Sequence, residues 1–186
     1  MSQPLTTACV FEAIVEAVSA EDRALRKLLS GRAGYERYVP GIATTFETGT
    51  VYAIFKTLVR TLPEPWIVDW ESPHGVGSKK IDLVLRRRGP GRPACWALEV
   101  KWWTKGGASV ADDCEKLRSA KGATRAFLLV LGAGAWPLGR LLDRAFAIGR
   151  LQEHVSVVHQ EELDVLGRGQ EWAKLGIAML EVHRGR

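Results

Sequence analysis

The chain is poor in cysteine: Cys9, Cys95 and Cys114 are the only three in 186 residues, with no Cys-x-x-Cys spacing. An odd set spaced this way argues against a disulfide framework or a structural zinc site and fits a reducing compartment. Long apolar runs are lacking as well. No stretch approaches the roughly 20 apolar residues that span a bilayer, and Met1-Ser2-Gln3-Pro4 has neither the basic head nor the apolar segment of a signal peptide. These absences predict a cytoplasmic protein with no membrane contact. There is no internal repeat and no low-complexity tract. With 46% hydrophobic residues, the length supports one good core and is short for two, so residues 1–186 are expected to form a single domain.

Acidic charge is the scarcer sign. The net charge is +5 and the isoelectric point about 9.3, which suggests a polyanionic partner such as nucleic acid. Lys79, Lys80, Arg86, Arg87, Arg88, Arg92, Lys101 and Lys105 gather around two apolar runs in the middle of the chain. There they could meet phosphates and make binding depend on salt. The competing reading is a solvated hairpin tip that protects a sheet edge from aggregation.

Those two runs, residues 80–85 (Lys-Ile-Asp-Leu-Val-Leu) and 95–102 (Cys-Trp-Ala-Leu-Glu-Val-Lys-Trp), are short, rich in branched and aromatic residues, and separated by turn chemistry. Both read as strands. Side chains alternate faces along a strand, so Glu99 and Lys101 project from one side while Leu98, Val100 and Trp102 project from the other. If the runs pair as a hairpin, Asp82 sits beside Glu99. Two adjacent carboxylates repel unless a positive charge lies between them, and a divalent cation would meet that need.

An acid on one strand followed by Glu-x-Lys on the next resembles the PD-(D/E)XK nuclease superfamily, the restriction-endonuclease-like fold, over roughly residues 45–132. Ile81 stands where the motif name has proline, a departure the family often shows. The resemblance implies an α/β fold with a central mixed sheet of four or five strands flanked by helices, in the order helix, strand, strand, strand, helix, strand. Residues 1–44 would be a helical extension, and residues 133–186 a C-terminal helix, strand and tail. It further implies Mg²⁺ or Mn²⁺ held by Asp82, Glu99, the Val100 carbonyl and an extra acid from the helix before the sheet. Lys101 would orient a water that attacks a phosphodiester, most readily in DNA. Dimers are common in the family. A non-catalytic DNA-binding or assembly subunit of the same fold, in a defence, restriction or transposition system, is the alternative.

Glu47 is the position that fits the extra acid. It shares a helical stripe with Val51, Ile54 and Leu58 in a helix predicted over 46–61, and a carboxylate on a core-facing stripe needs a partner. It could instead serve the helix dipole, with Thr44 or Thr45 as cap. Glu36 is the fallback. A first helix is predicted over 6–29, restarting at Ser19 with Asp22 completing a capping box. Residues 66–71 read as a strand whose Asp69 and Glu71 are solvated ends, and His74 as a loop histidine. A helix starting near Ser109 has a buried stripe of Val110, Cys114 and Leu117, Asp112 and Asp113 serving its first turn, and Lys116 as the polar group that assists in some family members. Trp103 lies on the Glu99 side, as core or as a base-stacking ring.

Residues 125–131 form the clearest buried strand. The glycines that follow invite a dinucleotide-binding reading, but the third arrives late, with Pro137 in its expected place, so a tight strand-to-helix turn is predicted. Residues 155–158 are read as a last strand, and 161–186 as a helical or irregular tail.

Overall fold

In a computed structural model of the chain, the described residues are 4–29, 42, 47–73, 80–90, 93–103, 108–133, 154–166 and 172–183. They form an α/β structure in which one six-stranded mixed sheet is flanked by three helices. The elements are α1 (Thr7–Leu29), α2 (Glu47–Thr61), β1 (Trp66–Ser72), β2 (Ile81–Arg87), β3 (Cys95–Trp102), α3 (Ala108–Arg118), β4 (Arg125–Ala133), β5 (Val155–Leu166) and β6 (Trp172–Val182).

The strands lie in the order β1-β2-β3-β4-β6-β5. β1, β2 and β3 form an antiparallel meander, and β3 pairs parallel to β4, with Trp96 opposite Arg125 and Trp102 opposite Leu131. A parallel neighbour requires a crossover, and α3 supplies it. Its helical stripe of Val110, Cys114 and Leu117 is buried against Ala97, Ala126, Leu128 and Val130. On the other face α1 and α2 cover Leu83, Leu85, Leu98, Val100, Phe127 and Leu129. β3 and β4 are therefore covered on both sides, which explains their near-continuous apolar runs.

The sheet has six strands where four or five were expected. The predicted tail is a hairpin: β5 runs on to Leu166, and β6 inserts between β4 and β5. β6 escapes a periodicity reading because Leu175 to Leu180 are buried on both faces. Gly132 and Ala133 continue β4, with Gly132 opposite Gly176, so no turn begins there. Residues 134–150, which include the rest of that glycine-rich segment and the helix expected after it, lie outside the described residues.

α1 is continuous and does not restart at Ser19. Thr6 caps it, its hydroxyl accepting the Cys9 amide at 3.2 Å. Asp22 is buried in mid-helix, where its carboxylate accepts the Ile42 amide at 3.0 Å and pairs with Arg26. A side chain that satisfies a neighbouring segment cannot cap its own helix. α1 packs on α2 and on β5, where Phe11 stacks on His159, whose Nε2 lies 3.0 Å from the Thr7 hydroxyl. The first helix thus belongs to the same core as the sheet.

Candidate active site

The regular ladder between β2 and β3 runs from Arg86–Cys95 to Leu83–Leu98. Beyond it, carboxylates take over the backbone groups. The Asp82 amide donates to Glu99 Oε1 at 3.2 Å, and the Val100 amide donates to Asp82 Oδ2 at 2.8 Å. The N–H and C=O of one strand residue leave by the same edge, so the Val100 carbonyl is directed to the β2 side as well. Asp82 and Glu99 thus meet on one face of the sheet, the face that α3 covers.

Two more elements close on this point. Glu47, the first residue of α2, accepts the Trp102 amide through Oε2 at 3.0 Å and holds Lys101 Nζ through Oε1 at 3.3 Å. The Trp102 ring turns to the opposite face and donates its Nε1–H to the Thr50 hydroxyl at 3.1 Å. From α3, Asp113 Oδ2 lies 3.3 Å from the same Lys101 ammonium, and Lys116 Nζ lies 2.6 Å from Glu99 Oε2. Asp113 and Lys116 are three apart in an α-helix and so occupy one surface. Among the described residues, four carboxyl groups, of Glu47, Asp82, Glu99 and Asp113, therefore gather with two ammonium groups, those of Lys101 and Lys116.

Burial and charge excess act together on the acids. Glu99 is 3% exposed; burial, reinforced by the Asp82 charge, pushes its carboxyl up to about 8, although the Lys116 ammonium opposes the shift. Burial also raises Asp82, against the Val100 amide and Lys116, and it raises Asp113 against Lys101. Burial opposes the charge of Lys101, but Asp113 and Glu47 outweigh it and hold the pKa above the ordinary lysine value. Lys101 is therefore a fixed cation and not a proton acceptor at neutral pH. The Cys114 thiol, buried beside Asp113, is pushed to about 12 and is no nucleophile.

Among the described residues no three His, Cys, Asp or Glu side chains converge as a metal-holding group. The expected third acid, Glu47, is spent on Lys101 and the Trp102 amide. What remains for a cation is two adjacent carboxylates and the Val100 carbonyl. This is an all-oxygen set of the kind that holds Mg²⁺ when water and substrate phosphate complete the shell. The residues fit such an ion in donor type, and among the described residues the cluster holds two more acids than bases.

Sequence reasoning placed Asp82, Glu99, Lys101 and Glu47, and the structure brings all four together. It passed over Asp113, whose position in a first turn suggested service to the helix dipole. Its spacing from Lys116, on the helical surface beside the Val110–Cys114–Leu117 stripe, was the available signal. The basic residues divide. Lys80 precedes β2 at the acidic end, paired with Glu71 at 2.9 Å. Arg86 pairs with Asp69, and it lies four residues from Asp82, about 13 Å along the strand. Arg87 lines a cleft of about 260 Å³ with Leu5, Trp66 and Trp96. Arg86, Arg87 and Arg88 thus mark the opposite end of the hairpin and do not surround the acids. Trp103 packs against the α3-side core. Glu36, Thr44, Thr45, His74, Lys79, Arg92 and Lys105 lie outside the described residues. None of the described helices is long and apolar enough to cross a membrane.

No protein-family model matches the chain, and neither a search of curated proteins nor one of solved structures returns a match.

Proposed function

We propose that this protein is a metal-dependent nuclease that hydrolyses phosphodiester bonds, most readily in DNA, on a core similar to the PD-(D/E)XK enzymes. One observation carries the reading. Where the β2–β3 ladder ends, Asp82 and Glu99 face each other within a cluster that holds, among the described residues, four carboxyl groups and two lysines. The chain order α2, β1, β2, β3, α3, β4 supports it, since the same order holds the acid and the Glu-x-Lys triplet in that superfamily.

Asp82, Glu99 and the Val100 carbonyl would hold Mg²⁺ or Mn²⁺. Such an ion lowers the pKa of a bound water and offsets charge on the scissile phosphate. The chain's own groups do the rest. Lys101, kept charged and fixed by Glu47 and Asp113, presents an ammonium that orients a water or stabilises charge developing on phosphorus-bound oxygen. Glu47 aligns the end of β3 through the Trp102 amide. Lys80, exposed at the acidic end and paired there with Glu71, would exchange that partner for a backbone phosphate.

The test is incubation of wild type, Asp82→Ala and Lys101→Ala with plasmid and single-stranded DNA, in Mg²⁺, Mn²⁺ or EDTA. The wild type should cut only with metal, and both variants should bind without cutting. The second reading is a non-catalytic DNA-binding or assembly subunit of the same fold, in a defence, restriction or transposition system. It is favoured by the Lys116 ammonium already resting on Glu99 and by the finding that, among the described residues, no third acid joins the pair as a metal-holding group. DNA binding by the wild type, without cutting in any metal, would establish it.

A further inference from the structure

We propose that Lys116 is a resident counter-cation which a divalent ion must displace, so that metal occupancy and the Lys116–Glu99 pair exclude one another. The inference rests on the nuclease reading of the site and deepens it by naming what controls metal entry.

Both oxygens of Glu99 are engaged: Oε1 by the Asp82 amide at 3.2 Å and Oε2 by Lys116 Nζ at 2.6 Å. The ammonium also acts on Asp82, lowering its proton affinity from across the gap. Lys116 therefore supplies charge to the same two carboxylates that a metal would use. A Mg²⁺ ion binds carboxylate oxygen at about 2.1 Å, and an ammonium on the same oxygen would stand against it as a like charge only a few ångströms away.

The two lysines of the site are not equivalent. Lys101 is clamped between Glu47 and Asp113, each at 3.3 Å, and it extends from a strand covered on both faces. Lys116 has Glu99 as its ion-pair partner and extends from the surface of α3; the two side chains are about equally exposed, 16% for Lys116 and 19% for Lys101, so what separates them is the number of carboxylates that hold each one. The four-carbon stem of Lys116 gives the ammonium a route to water. α3 itself is anchored by Val110, Cys114 and Leu117, so the side chain moves and the helix stays. In this arrangement Lys101 is the permanent cation of the site and Lys116 the exchangeable one.

The experiment is calorimetric titration of Mn²⁺ into wild type, Lys116→Met and Lys116→Arg without nucleic acid, with circular dichroism as the folding control. Lys116→Met should bind at least about tenfold more tightly than wild type, because a competing charge a few ångströms away has been removed. Lys116→Arg, which keeps the charge, should stay within about threefold of wild type. Wild-type binding with unchanged or weaker affinity in Lys116→Met overturns this proposal and leaves the nuclease reading intact. Failure of every form to bind at millimolar Mn²⁺ overturns both. A measurement on the wild type alone guards against a variant that does not fold. The Lys116 ammonium resonance should move toward that of a solvated lysine as Mg²⁺ is added, and a resonance unmoved at saturation overturns the proposal.

Discussion

At the start of β3 and β4, Arg125 and Glu181 form a closed two-charge unit, with Nε and Nη2 donating to the two carboxylate oxygens at 2.9 and 2.8 Å. The guanidinium also lies over the Trp96 and Phe127 rings. At the far end of the same strands, four acids share two lysines. The hydrogen bonds from Arg125 draw the Glu181 carboxyl below its ordinary range, whereas burial drives Glu99 up to about 8. One fork-to-fork pair matches its charges and strengthens the sheet. The other group holds more carboxyls than lysines around a buried Glu99, an arrangement that costs stability.

The contrast is broken most sharply by substitution at each end. Lys101→Ala should lower the rate of DNA cleavage by about 10²–10³-fold, the usual loss when one preorganised charge donor is removed from a reacting centre, with the circular dichroism spectrum retained. Arg125→Ala should leave that rate within about threefold. Comparable losses from both would show that the acidic end acts only through folding.

The next effect is on pH. A carboxyl whose pKa rises on folding favours the folded state when protonated, so its contribution falls as pH rises from about 4.5 toward about 8. Thermal melts of the metal-free protein should therefore give a higher Tm at pH 5.5 than at pH 8.5. Glu99→Gln should flatten that dependence, and Mn²⁺ should restore stability at the alkaline end. Glu181 has the opposite sign: its pKa is depressed, so its contribution is lost as pH falls below the ordinary glutamate range. A Tm that climbs steadily from pH 5.5 to 8.5 without metal would contradict the account of Glu99.

Smaller changes follow. Arg125→Ala should cost about 1–2 kcal/mol in denaturant titration, a partly exposed bidentate pair being worth more than a surface contact and less than a buried one. Lys80→Ala should weaken DNA binding modestly and reduce the slope of log affinity against log salt by about one. Arg86→Ala, about 13 Å away along the strand and paired with Asp69, should leave that slope unchanged.

Residues 95–102 could be read correctly as a strand because turn chemistry bounds them and their charges fall on alternate positions; β3 spans those same residues. The acid pair was legible for the same reason, since spacing along a strand dictates face. What could not be read depended on neighbours distant in sequence. β5 carries Glu161, Glu162 and Asp164 on an exposed border strand, a pattern that also suits a helix. β6 contains Ala, Gly, Met and Leu, a composition that does not favour strands, and burial between β4 and β5 decides its state. Asp113 and Lys116 had plausible duties within their own helix. Only the crossover of α3 over β3 gives them Lys101 and Glu99 as partners.

The place of β6 inside the sheet also bears on biosynthesis. Arg125 and Glu181 are 56 residues apart in sequence, so a nascent chain holds β4 with a bare hydrogen-bonding edge until residue 182 emerges. At roughly 5–20 residues per second the stretch from residue 133 to residue 182 takes about 2–10 s, and for that time β4 presents an unpaired apolar edge, the kind of feature that invites aggregation.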